Sequence, residues 1–304
     1  MRCPNTIPVQ RQDETTGVWT TTYVPCGKCY LCMQRRRNDW CFRNIQEYKH
    51  CYTAYFITLT YDDDHLPIKH CKAGEYKIPL GYDNYSMKPL FESKLIHEEF
   101  DVPTYSLDDI QKFLKRLRKH CEPCNDLRYF LVSEYGGEFF RPHYHAILYN
   151  FPGSMEDLAV ALDKTWKKGF YYIGEANEAT INYTCKYVLG ACELPSFLDK
   201  PLMLSSRRPA IGKCFLTDSM VSYHRNRLQV ISILDNGNKV ALPRYLRDKI
   251  FDNDVYKERI TQNLQDYVRI KTKEDLENPE YFSNLRNYVS SLRNRITKSN
   301  SNIL

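Results

Sequence analysis

The stretch Arg141–Tyr149, with the sequence RPHYHAILY, decides how this chain folds. Its composition is typical of a β-strand, in which alternate side chains share one face of the sheet. His143 and His145 therefore point to the same side, and Tyr144 points to the other. Two imidazoles at this spacing can hold one divalent cation, and we expect both to face a solvated cleft. The alternative is a half-buried pair that only forms hydrogen bonds.

A second strand precedes the histidines. Residues 128–135 (RYFLVSEY) are typical of a strand, and two glycines open a loop from which the histidine strand returns antiparallel. If Glu134 pairs opposite His143, its carboxylate lies beside both imidazoles. An oxygen ligand suits Mg²⁺ or Mn²⁺, whereas two histidines alone would favour softer metals. Glu138, in the loop, is the alternative third ligand.

A downstream segment carries two phenols. Residues 181–189 (INYTCKYVL) place Tyr183 and Tyr187 four residues apart, and on a helix this spacing puts both side chains on one face. Core packing would explain the same spacing. With 24 tyrosines in the chain, the pair alone is not specific.

These features together resemble the HUH endonucleases, in which histidines flanking one variable residue bind a metal and a helix carries one or two nucleophilic tyrosines. The resemblance makes His143 and His145 metal ligands. It also favours Glu134, because family members take an acidic ligand from the strand that precedes the histidines.

The tyrosine segment resembles the two-tyrosine version of this family. On that resemblance Tyr183 and Tyr187 are the nucleophiles, and Lys186 matches the version seen in microvirus initiators. Lys186 is also a candidate for helping a phenol to ionise. Gly190 departs from the pattern, which often has a second lysine there. Other segments look like those of initiators from the gokushovirus group.

The resemblance implies a replication initiator of a small single-stranded DNA phage. Such an enzyme nicks single-stranded origin DNA by tyrosine transesterification, through a 5′-phosphotyrosine link, and religates it in rolling-circle replication. Its expected partners are the phage origin and the host helicase and polymerase, in the cytoplasm of the bacterial host. The alternatives are another HUH nuclease, such as a plasmid initiator, relaxase or transposase, and a non-catalytic zinc and nucleic-acid-binding protein.

The remaining pattern completes an α+β fold. Residues 55–61 and 170–173 are strand-like, a helix follows Ser106, and residues 158–166 form a second amphipathic helix. The order is then strand, helix, hairpin, helix, strand, helix. It predicts an antiparallel sheet, with the histidine motif on a central strand, whose one face is covered by helices. Residues 65–103 show little periodicity and predict a long surface insertion, with a DNA-facing loop as an alternative.

The chain is expected to divide into three regions. Residues 1–52 form a Cys-rich basic N-terminal segment, residues 53–225 the HUH endonuclease domain, and residues 226–304 a charged, mainly helical C-terminal region. No signal peptide or membrane span is expected, because long apolar runs are absent from the sequence.

Cysteines are concentrated near the N-terminus. Cys26, Cys29 and Cys32 follow at three-residue spacing, and Cys3 is a candidate for the fourth ligand of a structural Zn²⁺. Unliganded thiols are the alternative, because a standard zinc module has two separated pairs. The 12 cysteines of the chain are expected to stay reduced.

Basic residues are modestly in excess. The net charge of +6 is compatible with nucleic-acid binding but is also common on other enzymes. Two helices carry cationic side chains that suit a phosphate backbone or, alternatively, form ordinary solvated faces. These candidates are Arg35, Arg36, Lys112, Lys115 and Arg116.

Overall fold

The computed structural model describes residues 3–12, 17–83, 85–122, 126–137, 140–188, 194–234 and 237–301. The strands are β1 (Ile7–Gln12), β2 (Trp19–Val24), β3 (Ala54–Tyr61), β4 (Ile68–Cys71), β5 (Gly74–Tyr82), β6 (Pro89–Ile96), β7 (Phe100–Pro103), β8 (Arg128–Tyr135), β9 (Pro142–Tyr149), β10 (Gly169–Glu175), β11 (Met203–Ser205), β12 (Ile231–Ile233) and β13 (Lys239–Ala241). The helices are α1 (Tyr30–Tyr48), α2 (Leu107–His120), α3 (Met155–Thr165), α4 (Glu178–Lys186), α5 (Asp218–Arg227), α6 (Arg244–Ile250), α7 (Asp254–Glu277) and α8 (Tyr281–Ser301).

The central sheet has five antiparallel strands in the order β10-β3-β9-β8-β11. β9 carries both histidines and lies in the middle, where every one of its residues except His143 is buried. The α+β class with an antiparallel sheet is confirmed. The hairpin of β8 and β9 also has the expected register, since Glu134 pairs with His143.

Helices cover both faces of this sheet. On one face Ile57, Leu59 and Tyr144 belong to a core that includes residues of α2 and α3. On the other face Phe56 and Ile147 belong to a core that includes residues of α1 and α4. The expectation of helices on a single face is therefore wrong. A sheet that is apolar on both sides needs a covering layer on each.

Side-chain caps set where helices begin. Ser106 Oγ accepts a hydrogen bond from the backbone N–H of Asp109 at 3.1 Å, so α2 starts where the sequence predicts. At the start of α4, Asn177 Oδ1 accepts from the Thr180 N–H at 3.0 Å, and Thr180 Oγ1 accepts from the Asn177 N–H at 2.8 Å. This reciprocal cap fixes the first residue of α4 and, with it, the face that α4 turns to the sheet.

The insertion at residues 65–103 consists of two hairpins, one inside the other. β5 pairs with β6, and β4 pairs with β7 around them. The expectation of a segment without regular structure is wrong. Most side chains of β6 are exposed on both faces, so no alternation of apolar and polar residues marks the strand in the sequence.

The C-terminal region forms its own apolar cluster and also reaches the N-terminus. Leu246 and Phe251 lie in a cluster with side chains of α5 and α7. Further along, Leu285 and Val289 of α8 lie in a cluster with Cys29. The two ends of the described chain therefore share a small core. None of the described helices is both long and apolar enough to cross a lipid bilayer.

Candidate active site

Two rows of side chains cross the sheet at the histidines. The strand register pairs His143 with Thr60 on one side and with Glu134 on the other. It also pairs His145 with Thr58. Paired residues of antiparallel strands lie on the same face, so these five side chains share the face that α1 and α4 cover.

Threonine hydroxyls hold both imidazoles. Thr60 Oγ1 lies 2.9 Å from His143 Nδ1, and Thr58 Oγ1 lies 3.0 Å from His145 Nδ1. Each contact occupies Nδ1 and leaves Nε2 as the atom for a metal, which is how partner groups orient metal-binding histidines. Sequence reasoning missed both threonines. The available signal was their alternation along β3, which matches that of the histidines along β9.

Glu134 and the two imidazoles form a donor set that fits a divalent ion. Glu134 Oε1 lies 2.7 Å from His145 Nε2. Two ligands at right angles around Mg²⁺, each about 2.1 Å from the ion, stand about 3.0 Å apart, so this pair needs little movement to bind one. A Cβ at Gly136 would lie 3.3 Å from His143 Nε2, and the glycine leaves that space open.

These three side chains are less tightly gathered than a preformed metal cage. In the described part of the chain, only Cys3, Cys26, Cys29 and Cys32 bring three or more ligand atoms of His, Cys, Asp or Glu within 4.8 Å of one another. Mg²⁺ usually keeps several water ligands, so a looser set of one carboxylate and two imidazoles remains suitable.

α4 brings both tyrosines onto His145. The Tyr187 ring lies parallel to the imidazole, with centroids 4.9 Å apart and an angle of 8°. The Tyr183 ring meets the same imidazole edge-on at 5.5 Å and 82°. Phe56, which sequence reasoning also missed, lies parallel to it at 5.8 Å and 10°. Both phenols therefore share one helix face, beside the candidate metal ligands.

The tyrosine helix is shorter than the segment that the sequence indicates. α4 ends at Lys186, and Tyr187 follows with helical backbone angles, φ −67° and ψ −13°. Leu189 and Gly190 lie outside the described residues, as does Glu138, the alternative third ligand.

Lys186 lies over both phenol rings. Its Nζ is 4.1 Å from the Tyr183 ring centroid and 4.5 Å from that of Tyr187. Burial lowers the pKa of Lys186 to about 8, although the charge of Glu134 opposes this shift. Burial also raises the pKa of both phenols, and the Glu134 carboxylate raises it further. Both phenols are therefore neutral near pH 7, and positive charge beside Glu134 would favour their ionisation.

The two histidines differ in their access to solvent. His145 is 5% exposed, so the expectation that it faces a solvated cleft is wrong, because the tyrosines of α4 cover it. His143 is more open. Burial nevertheless lowers the pKa of His143, which keeps its ring in the neutral form that binds metals.

The N-terminal thiols form a separate cluster. Cys3 Sγ lies 3.7 Å from Cys29 Sγ, and Cys26 Sγ lies 4.0 Å from Cys32 Sγ. Sulfurs at 2.3 Å from a tetrahedral Zn²⁺ stand about 3.8 Å apart, so these spacings fit. Burial raises the pKa of the Cys26 thiol, but backbone N–H groups, including that of Lys28, outweigh it and lower the pKa to about 7. The cluster can hold a metal ion, with Cys3 as its fourth member.

The predicted basic residues lie on different sides of the sheet. Lys112, Lys115 and Arg116 are exposed on α2, which packs on the face opposite the histidines. Arg35 and Arg36 are exposed on α1, which packs on the same face as the histidines. The structure therefore does not bring the α2 residues to the histidine side of the sheet.

A family model and several curated proteins match this chain. The family model for replication-associated protein ORF2 matches residues 98–190, which include Glu134, both histidines and both tyrosines. The replication-associated protein ORF2 of Spiroplasma virus 4 is 26% identical, over 86% of this chain and 77% of that protein. The replication-associated protein ORF4 of Chlamydia phage 1 is also 26% identical, over 74% of this chain and 53% of that protein.

A third relative is the replication-associated protein VP4 of Bdellovibrio phage phiMH2K. It is 24% identical, over 82% of this chain and 73% of that protein. No solved structure matches the chain. The chain is thus similar, over most of its length, to replication-associated proteins of microvirus phages, and these matches support its recognition as a microvirus rolling-circle replication initiator.

Proposed function

We propose that this protein nicks single-stranded DNA at a phage origin by tyrosine transesterification and later religates it. The observation that carries the proposal is that Tyr183 and Tyr187 both contact the imidazole of His145. Two successive phosphoryl transfers at one site need two nucleophiles within reach of the same phosphate. The similarity to replication-associated phage proteins supports the replicative setting.

The proposed reaction exchanges one phosphodiester bond for another. The phenol oxygen of Tyr183 or Tyr187 loses its proton and bonds to a backbone phosphorus, while the bond from that phosphorus to the 3′ oxygen breaks. The 3′ oxygen takes up a proton and becomes a primer for the host polymerase, with a host helicase opening the duplex. The phosphotyrosine conserves the bond energy, so the second tyrosine can cut the regenerated origin while the first strand is rejoined.

His143, His145 and Glu134 are the residues that would hold Mg²⁺ or Mn²⁺. When bound, the ion polarises a phosphoryl oxygen and orients the scissile bond. Thr58 and Thr60 keep the two rings aligned and hold their Nδ1 atoms away from the metal side. The lowered pKa of His143 keeps that ligand available at neutral pH.

Lys186 helps the phenols to ionise through its positive charge. A free phenol has a pKa near 10, and burial raises the pKa of both tyrosines further. The ammonium of Lys186 lies over both rings, where it favours a phenolate. With a pKa of about 8, Lys186 is largely charged at pH 7 and loses its charge as the pH rises through 8.

The four thiols are proposed to bind a structural Zn²⁺. They lie in a cluster with Met87 and with Leu285 and Val289 of α8. Zinc at this point would hold the N-terminal segment against the inner hairpin and against α8. This role is compatible with catalysis elsewhere in the chain, and it would also serve a non-catalytic DNA-binding protein.

Phenylalanine substitutions test the proposal. Phenylalanine keeps each ring and removes the attacking oxygen, so loss of activity cannot come from a cavity. With single-stranded origin DNA and Mn²⁺, at least one of Tyr183→Phe and Tyr187→Phe should still form a covalent protein–DNA adduct on a denaturing gel. The double variant should form none, and EDTA should abolish the adduct of the unsubstituted protein.

The matched control is Tyr52→Phe, which removes a phenol oxygen that bonds the carbonyl of Asn150 at an exposed position. This variant should form the adduct as the unsubstituted protein does. An adduct on the double variant, or a DNA-linked peptide from outside residues 181–188, would contradict the assignment of the nucleophiles. Zinc content and DNA binding without any adduct would favour the non-catalytic alternative.

A further inference from the structure

Two aromatic side chains stand exposed on the edge strand of the sheet. Phe170 is 71% exposed and Tyr172 is 62% exposed, both on β10. The residue between them, Tyr171, points to the other face, where its hydroxyl donates to Asp163 Oδ1 at 2.6 Å. Single exposed apolar residues are common, but two large rings on one face of one short strand are not explained by packing.

These rings extend the two rows that contain the histidines. Phe170 pairs with Thr60, whose other partner is His143. Tyr172 pairs in the same way with Thr58. Neighbouring strands are about 4.8 Å apart, so the aromatic positions lie about 10 Å from the histidine positions, on the same face.

A line of aromatic contacts joins this edge to the nucleophiles. The Tyr172 ring meets Phe56 at 6.4 Å and 62°, and Phe56 stacks on His145, which in turn stacks on Tyr187. A Cβ at Gly174 would lie 3.3 Å from the Tyr172 ring, so the glycine leaves room for that ring. The surface is therefore continuous from the edge of the sheet to the proposed site of nicking.

We propose that Phe170 and Tyr172 form a stacking platform for bases of single-stranded DNA that flank the nicked phosphate. Unpaired bases stack on exposed aromatic rings of sheets, and such binding tolerates any sequence because every base has a π-face. Their position beside the histidine rows selects this occupant. The inference rests on the proposed nicking function, but it predicts a binding property that is measured without cleavage.

The test is equilibrium binding of a short, 5′-labelled oligothymidylate to the full chain, followed by fluorescence anisotropy. Phe170→Ala and Tyr172→Ala should each weaken binding about 5- to 150-fold. Phe170→Tyr and Tyr172→Phe keep a ring and should bind nearly as the unsubstituted protein does. Phe282→Ala removes an exposed ring from α8, far along the chain, and serves as the matched control.

Two further measurements separate stacking from other causes. The slope of log affinity against log salt should stay unchanged in both alanine variants, because no phosphate contact is lost. An oligonucleotide with abasic positions should bind the unsubstituted protein more weakly, and the alanine variants should lose little further affinity for it. Since this arm also uses the unsubstituted protein, a poorly folded variant does not remove the test.

Several results would overturn the platform. These are unchanged affinity in both alanine variants, equal losses with abasic and intact oligonucleotides, or a changed salt slope. A change in sedimentation with unchanged DNA affinity would assign this edge to a second copy of the chain instead. Failure of the platform leaves the adduct of Tyr183 or Tyr187 intact, whereas failure of the nicking proposal removes the adduct and leaves the binding result standing.

Discussion

Adding one methyl group at Gly136 should weaken the proposed metal site without destabilising the fold. In Gly136→Ala the new Cβ would lie 3.3 Å from His143 Nε2 and 3.4 Å from the Arg141 carbonyl oxygen. Contacts in this range require the neighbour to move by a few tenths of an ångström. The carbonyl is held by a 2.8 Å hydrogen bond from the Gly136 N–H, so the imidazole is the group that moves.

The size of the effect follows from the tolerance of metal coordination. Mg²⁺ requires ligands close to 2.0–2.1 Å in near-ideal geometry, and disturbing the groups that orient a ligand typically costs about 10- to 100-fold in metal affinity. We expect a loss in this range, about 1.4–2.7 kcal/mol. Gly136 does not have a positive φ, so alanine should leave folding unchanged or stabilise it by about 0.4–1 kcal/mol.

The assay is Mn²⁺ titration by calorimetry, with thermal unfolding and adduct formation measured on the same samples. Raising the Mn²⁺ concentration should restore adduct formation in Gly136→Ala. The matched control is Gly137→Ala, since among the described residues no heavy atom lies within 4 Å of the Cβ position there. If Gly136→Ala bound Mn²⁺ as tightly as this control, His143 Nε2 would not be a metal ligand. A large loss of thermal stability would equally refute the reasoning, because the effect would then be structural.

Three further predictions follow from the same geometry. Thr60→Val keeps the side-chain shape but removes the 2.9 Å contact with His143 Nδ1, so Mn²⁺ affinity should fall about 10- to 100-fold in the same titration. In single-turnover cleavage, the rate should rise with pH and level off near pH 8, where Lys186 loses its charge as the phenol continues to ionise. Lys186→Arg keeps its charge and should extend the rise above pH 8, whereas an inactive arginine variant would make Lys186 a general base instead. Purified protein should carry about one zinc per chain by elemental analysis, and Cys32→Ser should lose it, unfold at lower temperature and expose α8 to proteases, because Leu285 and Val289 pack beside the thiols; a zinc-free, equally stable preparation would leave the thiols without a metal.

Local chemistry in the sequence was enough to predict the elements that carry the site. The alternation of His143 and His145, the hairpin that sets Glu134 opposite His143, and the four-residue spacing of Tyr183 and Tyr187 are all properties of short segments. Strand and helix periodicity act over a few residues, so these features can be read before the fold is known. The start of α2 at Ser106 was predicted for the same reason.

Only the tertiary structure decided which distant residues complete the site. Thr60 lies 83 residues before His143, and Thr58 lies 87 residues before His145, so their hydrogen bonds depend on β3 lying next to β9. The same strand order brings Phe170 and Tyr172 beside the histidine rows. It also places α2, with its basic residues, on the opposite face. The sequence alone determined the pieces of the site because their patterns are local, whereas strand order and helix placement depend on how the whole chain buries its apolar surface.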